Sequence, residues 1–145
     1  MNARLPKVKE NAPFRFQIEI IRFDPQVNRV ELTFNNSAET IAAIGEVSDE
    51  TVLIAVTQFR YGYCLGDFTV WRSAGRTFVR RGEHRSHEAR QKLHSAEPVG
   101  VVVFRDDDGS HFEMPFADTV SAQVAASELN HWIITGEVTD ELLWS

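Results

Sequence analysis

Between Phe14 and Phe34 the chain alternates. Phe14, Phe16, Ile18 and Ile20 are separated by Arg15, Gln17 and Glu19, and after Asp24-Pro25 and Asn28 the residues Val30, Leu32 and Phe34 are separated by Glu31 and Thr33. Successive side chains of a strand point to opposite faces, so each run has one apolar and one polar side. Two such runs joined through proline and asparagine predict a hairpin over residues 14–35. A lone hairpin is marginal in water and needs further strands or a helix against its apolar side. The rest of the chain must supply both.

Strand signals continue. Thr51 to Phe59 is apolar and β-branched and reads as a central strand. Phe68–Trp71 and Thr77–Val79 read as short strands around Ser73-Ala74-Gly75, and Val99–Phe104 as a buried strand. Asp106-Asp107-Asp108-Gly109 supplies a tight connection, since aspartate and glycine tolerate the dihedrals of a hairpin turn. Phe112, Met114 and Phe116 then alternate with His111 and Glu113 on a return strand. Tyr61 to Asp67 is expected to be a glycine-bracketed loop. Ser37 is expected to cap a short helix that Gly45 ends, and Ser86 to cap a polar, basic surface helix reaching His94.

The main helix is predicted after Pro115. Ala122, Ala125, Ala126, Leu129, Trp132 and Ile133 recur with helical spacing, and Gly136 suits the left-handed stop. Asp118 or Thr119 is the expected cap. Gln123, Ser127, Glu128, Asn130 and His131 fall away from the apolar face. These elements predict an α+β fold: a largely antiparallel β-sheet with a long C-terminal helix and one or two shorter helices packed on it. Residues 1–12 read as a flexible arm and 13–145 as a single domain, a size that can bury a real core.

No residue pattern names a reaction. Cys64 is the sole cysteine, which excludes an internal disulfide and fits a reducing, cytoplasmic setting. No apolar run approaches membrane-spanning length. His84 and His87 lack HExxH context or cysteine partners, so no metal is expected. The Asp106–Gly109 run lacks the ligand spacing of a calcium loop. No GxSxG elbow frames a nucleophile, the glycines of 61–67 lack the features of a phosphate loop, and no cofactor is expected.

Charge is laid out unevenly. The net charge is −6, yet Arg72, Arg76, Arg80, Arg81, Arg85, Arg90 and Lys92 face only Glu83 and Glu88 within their segment. From Asp106 onward nine acids stand without a lysine or arginine. An acidic third suits a basic protein better than nucleic acid.

The last third of the chain resembles the end of a family of bacterial immunity proteins from polymorphic toxin systems, the family of the immunity partner of a double-stranded-DNA cytosine deaminase toxin. The resemblance is carried by Met114-Pro115, a helix ending near Trp132-Ile133, then Thr135-Gly136 and a closing Leu142-Leu143-Trp144. Val138-Thr139 stands where the family often has a second proline. The resemblance implies a cytoplasmic antitoxin, not an enzyme, that covers a cognate toxin's basic active-site face; Trp144 is then expected to be a C-terminal latch packed on the sheet, with a toxin contact as the alternative. The implied toxin-binding residues are Asp106, Asp107, Asp108, Glu137, Asp140 and Glu141. The alternatives are a small ligand pocket among Trp71, Phe78, Tyr61 and Tyr63, and a phosphate- or RNA-binding surface on the basic segment 72–92.

Overall fold

A computed structural model describes residues 13–82, 86–91 and 99–145; the expected arm lies outside them. The elements run β1 (Phe14–Arg22), β2 (Asn28–Phe34), α1 (Ser37–Gly45), β3 (Thr51–Arg60), β4 (Tyr63–Ser73), β5 (Arg76–Gly82), β6 (Ser86–Gln91), β7 (Val101–Arg105), β8 (His111–Pro115), a 3-10 turn (Phe116–Asp118), β9 (Val120–Ser121), α2 (Ala122–Thr135) and β10 (Leu142–Trp144). The main sheet has eight strands, ordered β10-β6-β5-β4-β3-β1-β2, with β9 beside the start of β5. Every pairing in it is antiparallel. β7 and β8 form a separate two-stranded hairpin.

Alternation along the strands divides the apolar residues between two cores. Phe16, Ile18, Ile20, Val52, Ile54, Val56, Phe68, Val70 and Val79 face the helices and meet Ala125, Leu129, Trp132 and Ile133 of α2. Ile21, Phe23, Leu53, Trp71 and Phe78 face the other way and are covered by Phe104, Val102, Phe112 and Met114 of the β7–β8 hairpin. Ile20 and Ile21 are thus neighbours in sequence and members of different cores. Burying Trp132, 2% exposed, contributes roughly 2–3 kcal/mol.

The C-terminus of α2 is finished by β3. Buried Gln58 donates to the Trp132 carbonyl at 3.1 Å, and Arg60 donates to the carbonyls of Ile133 and Ile134 at 3.3 and 3.1 Å. A guanidinium there satisfies carbonyls that lack intrahelical partners and complements the helix dipole. Gly136 follows in the left-handed conformation, φ 79°. Its missing side chain matters, since a Cβ would stand 2.9 Å from Leu65 Cδ2.

The structure corrects several expectations. Residues 86–91 are a strand, not a helix. β6 pairs with β5 on one side and β10 on the other, and places Ala89, 2% exposed, opposite Val79 and Trp144. Hydrogen bonding along both edges outweighs the weak helix preference of a polar segment. The expected loop 61–67 contracts to the two-residue turn Tyr61-Gly62, both with positive φ, and β4 begins at Tyr63. Val101 and Val103 are 57% and 44% exposed, because the β7–β8 hairpin lies on the sheet and buries one side only. The cap of α2 is Ser121, which accepts from Val124 N at 3.3 Å; the 3-10 turn and β9 use up the expected cap residues Asp118 and Thr119. Asn36, not Ser37, caps α1. At 14 residues α2 is of ordinary length, and α1 is the other α-helix among the described residues.

Candidate functional site

The face opposite the helices is only partly covered. The β7–β8 hairpin lies against β3 and β4, covers Ile21 at the end of β1, and leaves Gln17, Glu19, Glu31, Thr33 and Thr57 lining an open stretch of the same face. The turn of that hairpin is fixed by its own side chains. Asp106 Oδ1 accepts from Asp107 N at 2.8 Å, and Gly109 N donates to the Asp106 carbonyl at 2.9 Å. Asp108 Oδ1 accepts from Ser110 N at 2.9 Å and also from the Ser110 hydroxyl. These bonds to the charged form hold the Asp108 carboxyl below the ordinary aspartate value, the hydroxyl contributing most.

The tip is also anchored to the sheet from two sides. Trp71 Nε1 donates to Asp106 Oδ1 at 3.3 Å, and Arg29 donates to the Asp107 carbonyl at 2.6 Å while reaching Glu19 Oε2 at 3.4 Å. Asp106 is therefore half-buried and structural, whereas the side chains of Asp107 and Asp108 are exposed.

Beside the tip lies an arrangement that stability alone disfavours. Glu19 and Glu31 are direct cross-strand partners on the same open face, and like charges opposite one another destabilise a sheet. They flank a shallow hollow of about 340 Å³, also lined by Gln17, Thr33, Ala55 and Thr57. The sequence pattern marked both glutamates only as the polar half of an alternation. Their juxtaposition depends on the β1–β2 register, which alternation alone does not specify.

The other predicted acids lie elsewhere. Glu137, Asp140 and Glu141 are exposed, on a segment that returns along the helix side of the sheet. Val138 packs against the helix-side core. Thr139 is gripped by Glu128 of α2, its N–H donating to Oε1 and its hydroxyl to Oε2, each at 2.6 Å. Glu128 is 1% exposed, so its expected place away from the buried face is overturned. Asp106–Asp108 and Glu137–Glu141 thus lie on opposite faces of the main sheet and form no single patch. Trp144 latches the chain end: its ring meets Phe68 edge-on at 5.9 Å, with the Arg81 guanidinium 4.9 Å from its centroid.

The alternative sites come apart. Trp71 and Phe78 are buried under the β7–β8 hairpin, while Tyr61 and Tyr63 are 73% and 80% exposed at the β3–β4 turn, so the four line no common pocket. The described arginines of segment 72–92 are scattered. Arg72 donates to the carbonyls of Val47 and Asp49, and Arg76 holds Thr119. Burial lowers both from the ordinary arginine value, and nearby Asp49 opposes this at Arg72. Arg80 lies 5.0 Å over the Trp71 ring, on the face opposite Arg81. His84, Arg85, Lys92 and His94 lie outside the described residues. Among the described residues no cluster of three or more histidine, cysteine, aspartate or glutamate side chains can hold a metal, and no helix is long and apolar enough to cross a membrane. Cys64 is an exposed free thiol.

The chain matches no family model and no curated protein.

Proposed function

We propose that the protein is an immunity protein that binds a cognate toxin through the tip of the β7–β8 hairpin and the open sheet face beside it, blocking the toxin's access to its substrate. The observation that carries this reading is the anchored acidic tip. Asp107 and Asp108 project into solvent from a turn tied to Trp71 and Arg29, so little order has to be gained when a partner binds them. Glu31, opposite the Arg29-paired Glu19, extends the negative field onto the neighbouring strand. A toxin that acts on nucleic acid presents a basic cleft, and a fixed array of carboxylates both steers encounter with such a cleft and occupies its phosphate sites. The resemblance of the last third of the chain to immunity proteins points the same way. In this reading the protein acts in the cytoplasm, needs no cofactor and catalyses nothing. Asp106 positions the tip rather than touching the toxin, and Glu137, Asp140 and Glu141 lie outside the contact.

The test is co-expression with the polypeptide encoded next to this one, scored by rescue of growth and by co-purification. Two double variants then locate the contact. Asp107→Lys/Asp108→Lys should weaken the complex by at least about tenfold, while Asp140→Lys/Glu141→Lys should leave affinity within about twofold. The tail pair should keep the thermal unfolding midpoint of the parent, and the tip pair, which also loses the Asp108–Ser110 bonds of an exposed turn, should stay folded with at most a small drop. Loss of binding from the second pair alone would place the contact on the helix side and end this assignment.

A further inference from the structure

The two edges of the main sheet differ. β10 ends it with three residues. β2 ends it with seven, Asn28-Arg29-Val30-Glu31-Leu32-Thr33-Phe34, in unbroken register with β1 from Phe16↔Phe34 to Arg22↔Asn28. Among the described residues no strand pairs with the outer side of β2. An edge of this length presents a row of free N–H and C=O groups, and proteins usually blunt it with proline, lysine or a bulge. β2 contains none of these; the charges it carries, Arg29 and Glu31, are of opposite sign and so do not repel a second copy in the matching register. We propose that β2 is a self-association edge, pairing antiparallel with β2 of a second copy of this chain about a twofold axis at Val30.

The charges select both partner and register. Arg29 and Glu31 are two residues apart and so point to the same face. In a twofold pairing centred on Val30, Arg29 of each copy stands opposite Glu31 of the other, giving two complementary pairs. Shifting the centre to Glu31 would oppose that glutamate to itself. Glu31 has reason to take such a partner. It faces Glu19 across β1–β2, and among the described residues it makes no ion pair. Arg29 has donors left: its two terminal nitrogens reach Glu19 and the Asp107 carbonyl, and a guanidinium carries five N–H groups. On the opposite face Val30, Leu32 and Phe34 are only half-buried. The same pairing sets Val30 against Val30 and Leu32 against Asn28, covering apolar surface that one copy leaves wet. Contact through the same patch on both copies is the usual form of a closed dimer, and strand addition is an established mode of recognition. Edge pairing runs along the outer rim of β2 rather than across the open face, and its test needs no toxin.

Sedimentation of the isolated chain across a concentration series tests it, with no toxin present. The parent should show a monomer–dimer equilibrium that weakens with salt. Arg29→Glu sets glutamate against glutamate and Glu31→Arg sets arginine against arginine; each should weaken the dimer by at least about tenfold. Mixing the two single variants should restore association, because a strand carrying two glutamates at these positions then lies against a strand carrying two arginines. Restoration also shows that neither variant had simply unfolded. A parent that stays monomeric throughout, single variants that dimerise as the parent does, or a mixture that stays monomeric would each overturn the proposal.

Discussion

The segments 106–108 and 137–141 carry similar charge and are held in opposite ways. At the hairpin tip the acids shape their own backbone: Asp106 and Asp108 accept main-chain N–H groups, and only then do Asp107 and Asp108 face solvent. In the tail the exposed side chains of Glu137, Asp140 and Glu141 hold no other segment among the described residues. The segment is fixed by a carboxylate from elsewhere, Glu128, closing on Thr139. Charge near a rigid backbone has a defined position and can be matched by a partner. Charge on a strap contributes mainly to net charge. An acidic run in a sequence therefore locates a binding surface only once its backbone is known to be fixed.

The largest way to break this contrast is to release the strap. Glu128→Ala should destabilise the fold by about 3 kcal/mol, because it removes both hydrogen bonds from Thr139 to a buried carboxyl group and leaves the part-buried donors of Thr139 without that partner. Urea denaturation measures it, and affinity of the folded fraction for the proposed toxin should be unchanged. An unaffected midpoint would mean that the tail is held by Trp144 and Leu142 alone. Loosening the tip should cost less. Trp71→Phe removes a 3.3 Å bond to Asp106 and some packed volume, for about 1–2 kcal/mol. Here the expected signature is reversed: modest loss of stability, faster amide exchange at residues 106–110 and clearly weaker binding of the proposed toxin. Equal exchange in parent and variant would show that Trp71 does not fix the tip.

Much of the fold was legible because burial follows periodicity. The β1–β2 hairpin, β3, the turn at Asp106–Gly109, the stop of α2 at Gly136 and its apolar face all follow from local pattern, except that Ala126, expected on that face, is exposed while Val124 packs on the core. What failed depended on partners distant in sequence. Segment 86–91 looks helical alone and becomes a strand only between β5 and β10. Glu128 looks solvated until the tail brings Thr139 against it. The acids of the expected site were legible as residues but not as a surface, since the last third of the chain passes from the open face to the helix face between Pro115 and Ala122. Glu19 and Glu31 were invisible for the same reason, because a cross-strand pair exists only once register is set.

The smallest effect separates tip from tail most sharply. The Ser110 hydroxyl and N–H hold the Asp108 carboxyl below the ordinary aspartate value. A depressed folded value means that the bonds favour the charged carboxylate. Whatever stability they supply is present above the unfolded value and is lost as pH falls through the folded one. Asp108 is fully exposed, so the effect belongs to its own titration rather than to global unfolding. Ser110→Ala removes the hydroxyl, the larger contribution, and keeps the backbone bond. The titration midpoint of Asp108, followed by carboxyl carbon shifts in NMR, should rise toward the ordinary range without reaching it. If Asp108 titrates identically with and without the hydroxyl, the turn is not held by its own acids. The tip would then differ from the tail only in location, and its claim to be the binding surface would rest on charge alone.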